Sequence, residues 1–389
     1  MQDIIEKAKK ILEEPVCDNC LGRQFAKLLS GSSNEERGRT IRKIIAMDID
    51  REEKLREKID TSNFVGFRFH SLEIERKSKK CSICKDFFKN IDVYSEKVAK
   101  ELKKYDFKTF LIGSKISTEF LDREDKLWEA VGIDYCEPIK AEINREVGKK
   151  IEKILKVKYD PKNPNINILL NIGRNSIDVK VNPLYIYGEY QKLVRGIPQT
   201  RWPSRKYKTS VEEIIAKPIM RIVKGKGHKF HGMGREDIDA RCLAWRPFVF
   251  EVIEPKKRYL NLRNIKPDKR VTIKNLRFSD IQEVRKIKEA KADKTYRAIV
   301  ECEKEVTRDD LKKLKSLIGT IRQKTPSRVL HRRADKFRKR NVKEIKVKIM
   351  GKNKFELIVR GEAGLYIKEL ISGDAGRTQS SVSYLLGPC

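Results

Sequence analysis

The sequence predicts an α+β protein in two parts. An N-terminal α/β domain is followed by a domain of strands with helices interposed. Three observations carry this. Apolar residues recur at helical spacing through much of the first half. Strictly alternating apolar residues mark a series of strands in the second half. Strand and helix do not alternate regularly there, so a mixed or antiparallel sheet with flanking helices is expected rather than a parallel one. The boundary is placed near 175–182, giving domains 1–178 and 179–389.

Taken in order, Ile4, Ile5, Ala8, Ile11 and Leu12 repeat at helical spacing, without the apolar core of an export signal. Residues 35–60 read as a charged amphipathic helix or helix pair. Phe87, Ile91, Tyr94, Val98 and Leu102 form one face of a further helix, and FLIG (110–113) is a short strand. Ile139, Ile143, Val147, Ile151 and Ile154 mark a helix whose opposite face is rich in Lys, Arg and Glu. Residues 166–172 and 177–181 alternate around the turn GRNS, which is a hairpin signal. NPLYIYGEY (182–190) opens the second domain. There Phe248, Phe250 and Val252 alternate, as do Val271 and Ile273, and Ala298 and Val300. Ile345, Val347 and Ile349, then Phe355, Leu357 and Val359, complete the strands. Helices are expected at 278–290 and 307–319, each opened by a Ser or Asp near a capping position.

Composition narrows the function. Of 389 residues, 89 are Lys or Arg against 56 Asp or Glu, a net charge of +33. The hydrophobic share of 39% is enough to fold, which excludes a disordered basic tail. No apolar run approaches the roughly 18 residues of a membrane span. A soluble, cytoplasmic chain with so large a positive charge is expected to bind a polyanion, which means nucleic acid. The charge is concentrated. Residues 321–340 carry nine Lys or Arg against one Asp, and 255–270 carry seven against Asp268. KGKGHKFHGMGR (224–235) adds Lys224, Lys226, Lys229 and Arg235 among glycines that permit close backbone approach, a mixture suited to phosphates.

Four of the eight cysteines fall into two C-x-x-C pairs, Cys17/Cys20 and Cys81/Cys84. Two such pairs can complete a tetrahedral Cys₄ site for structural Zn²⁺, with an iron–sulfur cluster as the other metal reading. The 60 residues between them exceed the usual zinc-ribbon gap, so spacing alone does not bring the pairs together. Disulfides are disfavoured because nothing marks the chain as exported. Four thiolates close the coordination sphere, so a catalytic metal is not expected. Cys136, Cys242, Cys302 and Cys389 are expected to be small core residues.

After the basic Gly-rich loop comes GREDIDAR (234–241), then a strand. Glu236, Asp237 and Asp239 thus lie beside a surface suited to phosphate, where a carboxylate hinders binding and is better explained by chemistry or by an Arg partner. GREDIDAR resembles the catalytic-aspartate motif of pseudouridine synthases. KTYRAIV (294–300) resembles the strand whose Tyr packs against the target base. GLYIKELISGDAGRTQSSVSYLLG (364–387) resembles the motif whose basic residue holds the catalytic Asp. QKTPSRVLHRRAD (323–335) and YGEYQKLVRGIPQTRW (187–202) are similar to the archaeal and eukaryotic Pus-ten family of tRNA pseudouridine synthases. The N-terminal half, with its paired C-x-x-C motifs, resembles that family's accessory RNA-binding domain with a THUMP-like region. Glu189 departs from the pattern, where Arg is expected.

The resemblance implies an isomerase that converts uridine to pseudouridine in the T-arm of tRNA, at positions 54 and 55. It makes Asp237 the nucleophile, Tyr296 the base-stacking or proton-transfer residue, and Lys368 the cation paired with Asp237. Ile367 and Leu386 become apolar pocket walls. Arg235, His228, His231, Arg332 and Arg333 are the expected RNA contacts. Breaking the glycosidic C–N bond and rejoining C5 to the ribose needs one carboxylate, as nucleophile or as base in a glycal route, and no organic cofactor. The uridine must leave its stack to be reached. No small-molecule substrate is implied, and the protein is expected to act as a monomer. The competing reading is a non-catalytic, zinc-containing tRNA-binding protein or chaperone. Another THUMP-bearing enzyme, a methyltransferase or thiolase, is disfavoured, because the Gly-rich run leads into a strand and not a helix.

Overall fold

A computed structural model describes residues 3–70, 77–204 and 206–389, the side chains of residues 53–55 and of Arg332 excepted. The chain divides into two compact units, Met1–Val284 and Arg285–Cys389. It is α+β throughout. The first unit contains two separate hydrophobic cores, one drawn from Ala8 to Leu170 and the other from Leu184 to Val271.

The first core is built from helices α1 (Ile4–Ile11), α2 (Asp18–Gly22), α3 (Asn34–Arg51), α4 (Ile91–Leu102), α5 (Thr118–Val131) and α6 (Ile139–Leu155). They accompany strands β1 (Thr109–Lys115), β2 (Lys158–Tyr159), β3 (Ile166–Asn171) and β4 (Ser176–Val181), in the order β2-β1-β3-β4. Strand β1 is parallel to both neighbours, and β3 and β4 form the expected antiparallel hairpin. Helix α3 begins with a capping box, in which the Ser33 hydroxyl accepts the Glu36 N–H and the Glu36 carboxylate accepts the Ser33 N–H. It then touches α2 backbone to backbone. A Cβ on Gly38 would stand 1.9 Å from the Asp18 carbonyl oxygen, and one on Gly22 only 1.8 Å from that of Asn34. Only glycine fits either position, and the contact fixes the short helix that carries Cys20.

The second core holds β5 (Leu184–Lys192), helix α7 (Val211–Val223), β6 (Gly227–Gly232), β7 (Cys242–Ile253) and β8 (Val271–Ser279). These strands form an antiparallel sheet in the order β6-β7-β5-β8. Helix α8 (Ile281–Glu289) spans the division between the units. The second unit comprises β9 (Lys294–Glu301), α9 (Arg308–Lys313), β10 (Gly319–Lys324), β11 (Phe337–Ile349), β12 (Lys354–Gly361), α10 (Ile367–Ser372), β13 (Thr378–Gln379) and α11 (Val382–Leu386). Its sheet is antiparallel, ordered β13-β10-β11-β12-β9. The strands of the second half therefore lie in two sheets rather than one.

Four expectations are corrected. The Gly-rich basic segment is not a loop: residues 227–232 form the edge strand β6, because pairing with β7 satisfies its backbone. Helices α5 and α7 went unread, the latter because Pro218 lies inside a helix whose N-cap Ser210 still holds its first turn. Ile154 is exposed, off the buried face of α6. Cys302 and Cys389 are not separate core residues but are joined as a disulfide across 87 positions, a pairing that sequence spacing does not reveal.

Candidate active site and RNA surface

Strand β5 buries every second residue, and this alternation turns a lysine inward. Lys192 is fully buried, and its ammonium donates to the carbonyls of Ile197 and Asp237 at 3.0 Å and of Ile238 at 3.3 Å. Three donors thus meet three acceptors. Burial pushes the Lys192 pKa down, against the opposing pull of Glu236 and other nearby acidic groups. Two residues earlier on the same face, the Tyr190 hydroxyl donates to Glu236 Oε2 at 2.8 Å. Gln199 Nε2 donates to that hydroxyl at 2.9 Å and to the Gly234 carbonyl at 2.8 Å. Arg246 Nε lies 3.2 Å from Glu236 Oε2. The segment 234–238 is therefore pinned from its inner side along most of its length.

These contacts separate the carboxylates of GREDIDAR. Glu236 is buried and committed to Tyr190 and Arg246. Asp237 is half-buried, its own carbonyl held by Lys192 and by the Ala240 N–H. Asp239 is exposed, and so is Arg235, whose Nη2 donates to Thr200 Oγ1 at 2.8 Å. Tyr190, Lys192, Gln199 and Arg246 were not singled out from the sequence as support for this loop. The signal for Lys192 was present in the period-two pattern of β5, which places a lysine in register with Leu184 and Ile186. Lys192→Met keeps the volume but strands buried carbonyls, and is expected to cost about 3 kcal/mol. Chemical denaturation measures the loss, and hydrogen exchange should rise first at 236–240.

The other expected catalytic and pocket residues lie in the second unit. Tyr296 is half-buried on β9, opposite Val359 of β12. Lys368 is exposed in the first turn of α10, beside Ile367, which packs on that unit's core, as does Leu386 of α11. Arg333 Nη1 donates to the Tyr366 hydroxyl at 2.8 Å. The side chain of Arg332 lies outside the described residues.

The basic stretches divide into structural and outward-facing cations. Within 321–340, Arg328 pairs with the buried Glu369 at 2.6 Å, and Lys324 with Asp335 at 3.0 Å. Arg322 and Lys339 sit opposite one another on β10 and β11, with the Arg322 guanidinium 4.3 Å from the ring centre of exposed Phe337. On β6, His231 Nε2 lies 2.8 Å and Lys229 Nζ 3.4 Å from the buried Glu251 carboxylate. The His228 ring packs edge-on to Phe250 at 5.1 Å. Both histidines are thus braced by the sheet. Glu189, where Arg was expected, accepts from Asn275 at 3.1 Å and lies 3.6 Å from Lys274 Nζ.

Folding brings the two C-x-x-C pairs together. The sulfur atoms of Cys17, Cys20, Cys81 and Cys84 all lie within 4.8 Å of one another, those of Cys17 and Cys84 at 3.5 Å. A tetrahedral zinc with bonds of about 2.3 Å places its sulfurs about 3.8 Å apart, so the donor set fits a metal. The Cys17 N–H donates to Cys81 Sγ at 3.4 Å, and the Cys81 N–H to Asp86 Oδ1 at 3.0 Å. Lys85 and Asp86 adopt left-handed backbone with φ of 49° and 67°, which folds the chain tightly behind Cys84.

Comparison with known proteins assigns both halves. A family model described as the archaeal Pus10 THUMP domain matches residues 94–171, and one described as the Pus10 C-terminal region matches 185–388. A relative from Methanocaldococcus jannaschii is 42% identical, over 96% of this chain and 89% of its own. The chain belongs to the Pus10 family. A second member, from Methanothrix thermoacetophila, is 37% identical over 99% of this chain and 91% of its own. A third, from Pyrococcus furiosus, is 38% identical over 99% and 94%. All three are named tRNA pseudouridine synthase Pus10. The Pus10 THUMP match covers α4 to β3, and the C-terminal match begins within β5 and continues through the second unit.

Proposed function

We propose that this chain, as a Pus10 tRNA pseudouridine synthase, isomerises uridine in the T-arm of tRNA, at positions 54 and 55, with Asp237 as the catalytic carboxylate. The observation that carries the choice of residue is the bracing of its loop: Lys192 holds the carbonyls of Asp237 and Ile238 from below. Glu236 is buried in a network of its own and Asp239 is exposed, which leaves Asp237 as the half-buried carboxylate of the three. A loop held at its main chain keeps a nucleophile in place without using the nucleophile's own oxygens.

Asp237 attacks the ribose or the base, or removes a ribose proton on a glycal route. The C1′–N1 bond breaks, the base turns, and C1′ joins C5. The proton lost from C5 is matched by one gained at N1, so no redox partner is required. The target uridine is flipped into the site, with Tyr296 stacking on the base or moving a proton, Lys368 paired to Asp237, and Ile367 and Leu386 as apolar walls. Arg235, His228, His231, Arg332 and Arg333 are the proposed RNA contacts. Residues 1–178 act as the accessory RNA-binding domain and 179–389 as the catalytic domain. Support for that boundary is the gap between the two family matches, which coincides with the gap between the first unit's two cores. Cys17, Cys20, Cys81 and Cys84 hold a structural zinc, whose four thiolate ligands leave no place for substrate. A cytoplasmic monomer completes the reading, and no helix among the described residues is long and apolar enough to cross a membrane.

The test is to map pseudouridine in unmodified tRNA transcripts incubated with the purified protein. Conversion confined to the T-arm is expected, and conversion elsewhere or none would overturn the assignment. Binding should also be steeply weakened by salt. If about six phosphates are neutralised, affinity falls roughly a thousandfold between about 50 and 200 mM salt. Filter binding across that range measures the slope, and a flat response would contradict a phosphate-dominated interface.

A further inference from the structure

Within the first unit, the joint between the two cores is made by an arginine. Arg258 belongs to the basic stretch 255–270, yet it is only 6% exposed and does not face solvent. Its guanidinium donates to the carbonyls of Asn182 at 2.6 Å and Pro183 at 3.1 Å, in the link between β4 and β5. Its backbone N–H donates to Asp106 Oδ2 at 2.7 Å, just before β1. The next residue, Tyr259, donates its hydroxyl to Asn165 Oδ1 at 2.9 Å, and Lys108 Nζ lies 4.3 Å from its ring centre. Asn182 is tied to the same side, its N–H donating to the Asn165 carbonyl at 2.9 Å and its Nδ2 to that of Pro164 at 2.8 Å.

An apolar joint could supply comparable stability, because apolar burial is roughly proportional to area and has no direction. A planar guanidinium held by two carbonyls is different. It allows one orientation, and a lysine in its place could not reproduce both bonds. The contacts therefore fix geometry more than they add energy.

We propose that Arg258 is a positioning residue that holds the THUMP region at a set angle to the 184–284 core, so that one tRNA engages both together. This rests on the reading of the chain as a tRNA pseudouridine synthase. Two RNA-binding surfaces at a fixed angle act as one bivalent site, and a loosened joint lowers the effective concentration of the second contact after the first has formed. The chemical step, made by side chains outside the joint, is untouched.

Steady-state kinetics on a whole tRNA transcript test this. Arg258→Met is expected to raise KM about tenfold while kcat at saturating tRNA stays within about twofold, and Arg258→Lys should fall between it and the wild type. An unchanged KM would overturn the proposal. So would a fall in kcat that tracks a lower unfolding temperature, since Arg258 would then serve the fold alone. Should Arg258→Met not fold, Tyr259→Phe, which loses only the bond to Asn165, gives the same comparison with a KM rise of about two- to threefold. If the wild type binds tRNA but forms no pseudouridine, the functional reading fails while the dissociation constants of the variants still decide the role of Arg258.

Discussion

Asp237→Asn is expected to abolish pseudouridine formation, with a rate loss on the order of 10⁴-fold, while tRNA affinity stays within about twofold. The substitution keeps the shape of the side chain and leaves the main chain of its loop in the grip of Lys192. What disappears is the carboxylate that attacks or removes a proton. Affinity could only rise, since a negative charge beside the phosphates is gone. Single-turnover conversion of a transcript, run beside filter binding, separates the two quantities. Asp239→Asn is the control and should remain active, because its side chain is exposed and outside the braced segment. On the proposed reading, in which Lys368 is the cation that orients the catalytic carboxylate, Lys368→Ala should slow the reaction strongly. Tyr296→Phe keeps the ring and loses the hydroxyl, so full activity would assign Tyr296 to base packing alone. Near-wild-type conversion by Asp237→Asn would refute the choice of nucleophile.

Much of this protein is legible in its sequence, and the unread parts share a physical cause. The hairpin of β3 and β4 and the strands β7, β11 and β12 are legible from period-two alternation, plainest in β12, which buries Phe355, Leu357 and Val359, whereas β7 is buried on both faces from 248 to 252. The helices α3, α4 and α6 follow from apolar spacing. What spacing cannot show is which distant groups meet. The Cys81/Cys84 pair meets Cys17/Cys20 through tertiary contacts, among them the Ser82 N–H donating to the Pro15 carbonyl, while α2 is pressed against α3 at Gly22 and Gly38. Likewise, the disulfide between Cys302 and Cys389 joins positions that no local rule relates. Charge is misread for a related reason. Lys192, Arg258 and Arg328 each count as one more cation in the sequence, but folding buries the first two and pairs the third with a buried Glu369. Only the remaining outward-facing cations are available to RNA, so the net charge overstates the binding surface while correctly naming its partner. The carboxylates divide in the same manner. GREDIDAR offers three acids within four residues, and the inward face of β5, through Tyr190 and Lys192, sorts Glu236 to structure and leaves Asp237 half-buried, the carboxylate proposed for the chemistry.

Removing the metal is expected to have the second large effect, and to act on the fold rather than on the chemistry. Four sulfur atoms within 4.8 Å of one another form a closed donor set, three of them on buried residues. Without a cation, four thiolates so close would repel, and protonation would leave four thiols with only weak hydrogen bonds. A zinc held by these four sulfurs would couple two segments 60 residues apart, so its binding energy would be folding energy for the region they enclose. That region also relies on α2. Arg42 Nε bonds Asp18 Oδ1 at 2.6 Å, and buried Arg23 pairs with Glu124 of α5. A displaced α2 would therefore expose charges that the helices now cover, at several kcal/mol for each broken pair. Cys81→Ser should reduce zinc from one per chain to a small fraction. It should also make residues 3–90 cleavable by protease, and lower the unfolding temperature by about 10 °C or more. At saturating tRNA the surviving folded protein should keep kcat within about threefold, because no catalytic candidate lies in that region. Metal analysis, limited proteolysis and calorimetry on wild type and variant decide the matter, and visible absorption would reveal an iron–sulfur cluster in place of zinc. A stably folded, metal-free wild type would remove the case for a metal centre, as would full zinc occupancy in Cys81→Ser.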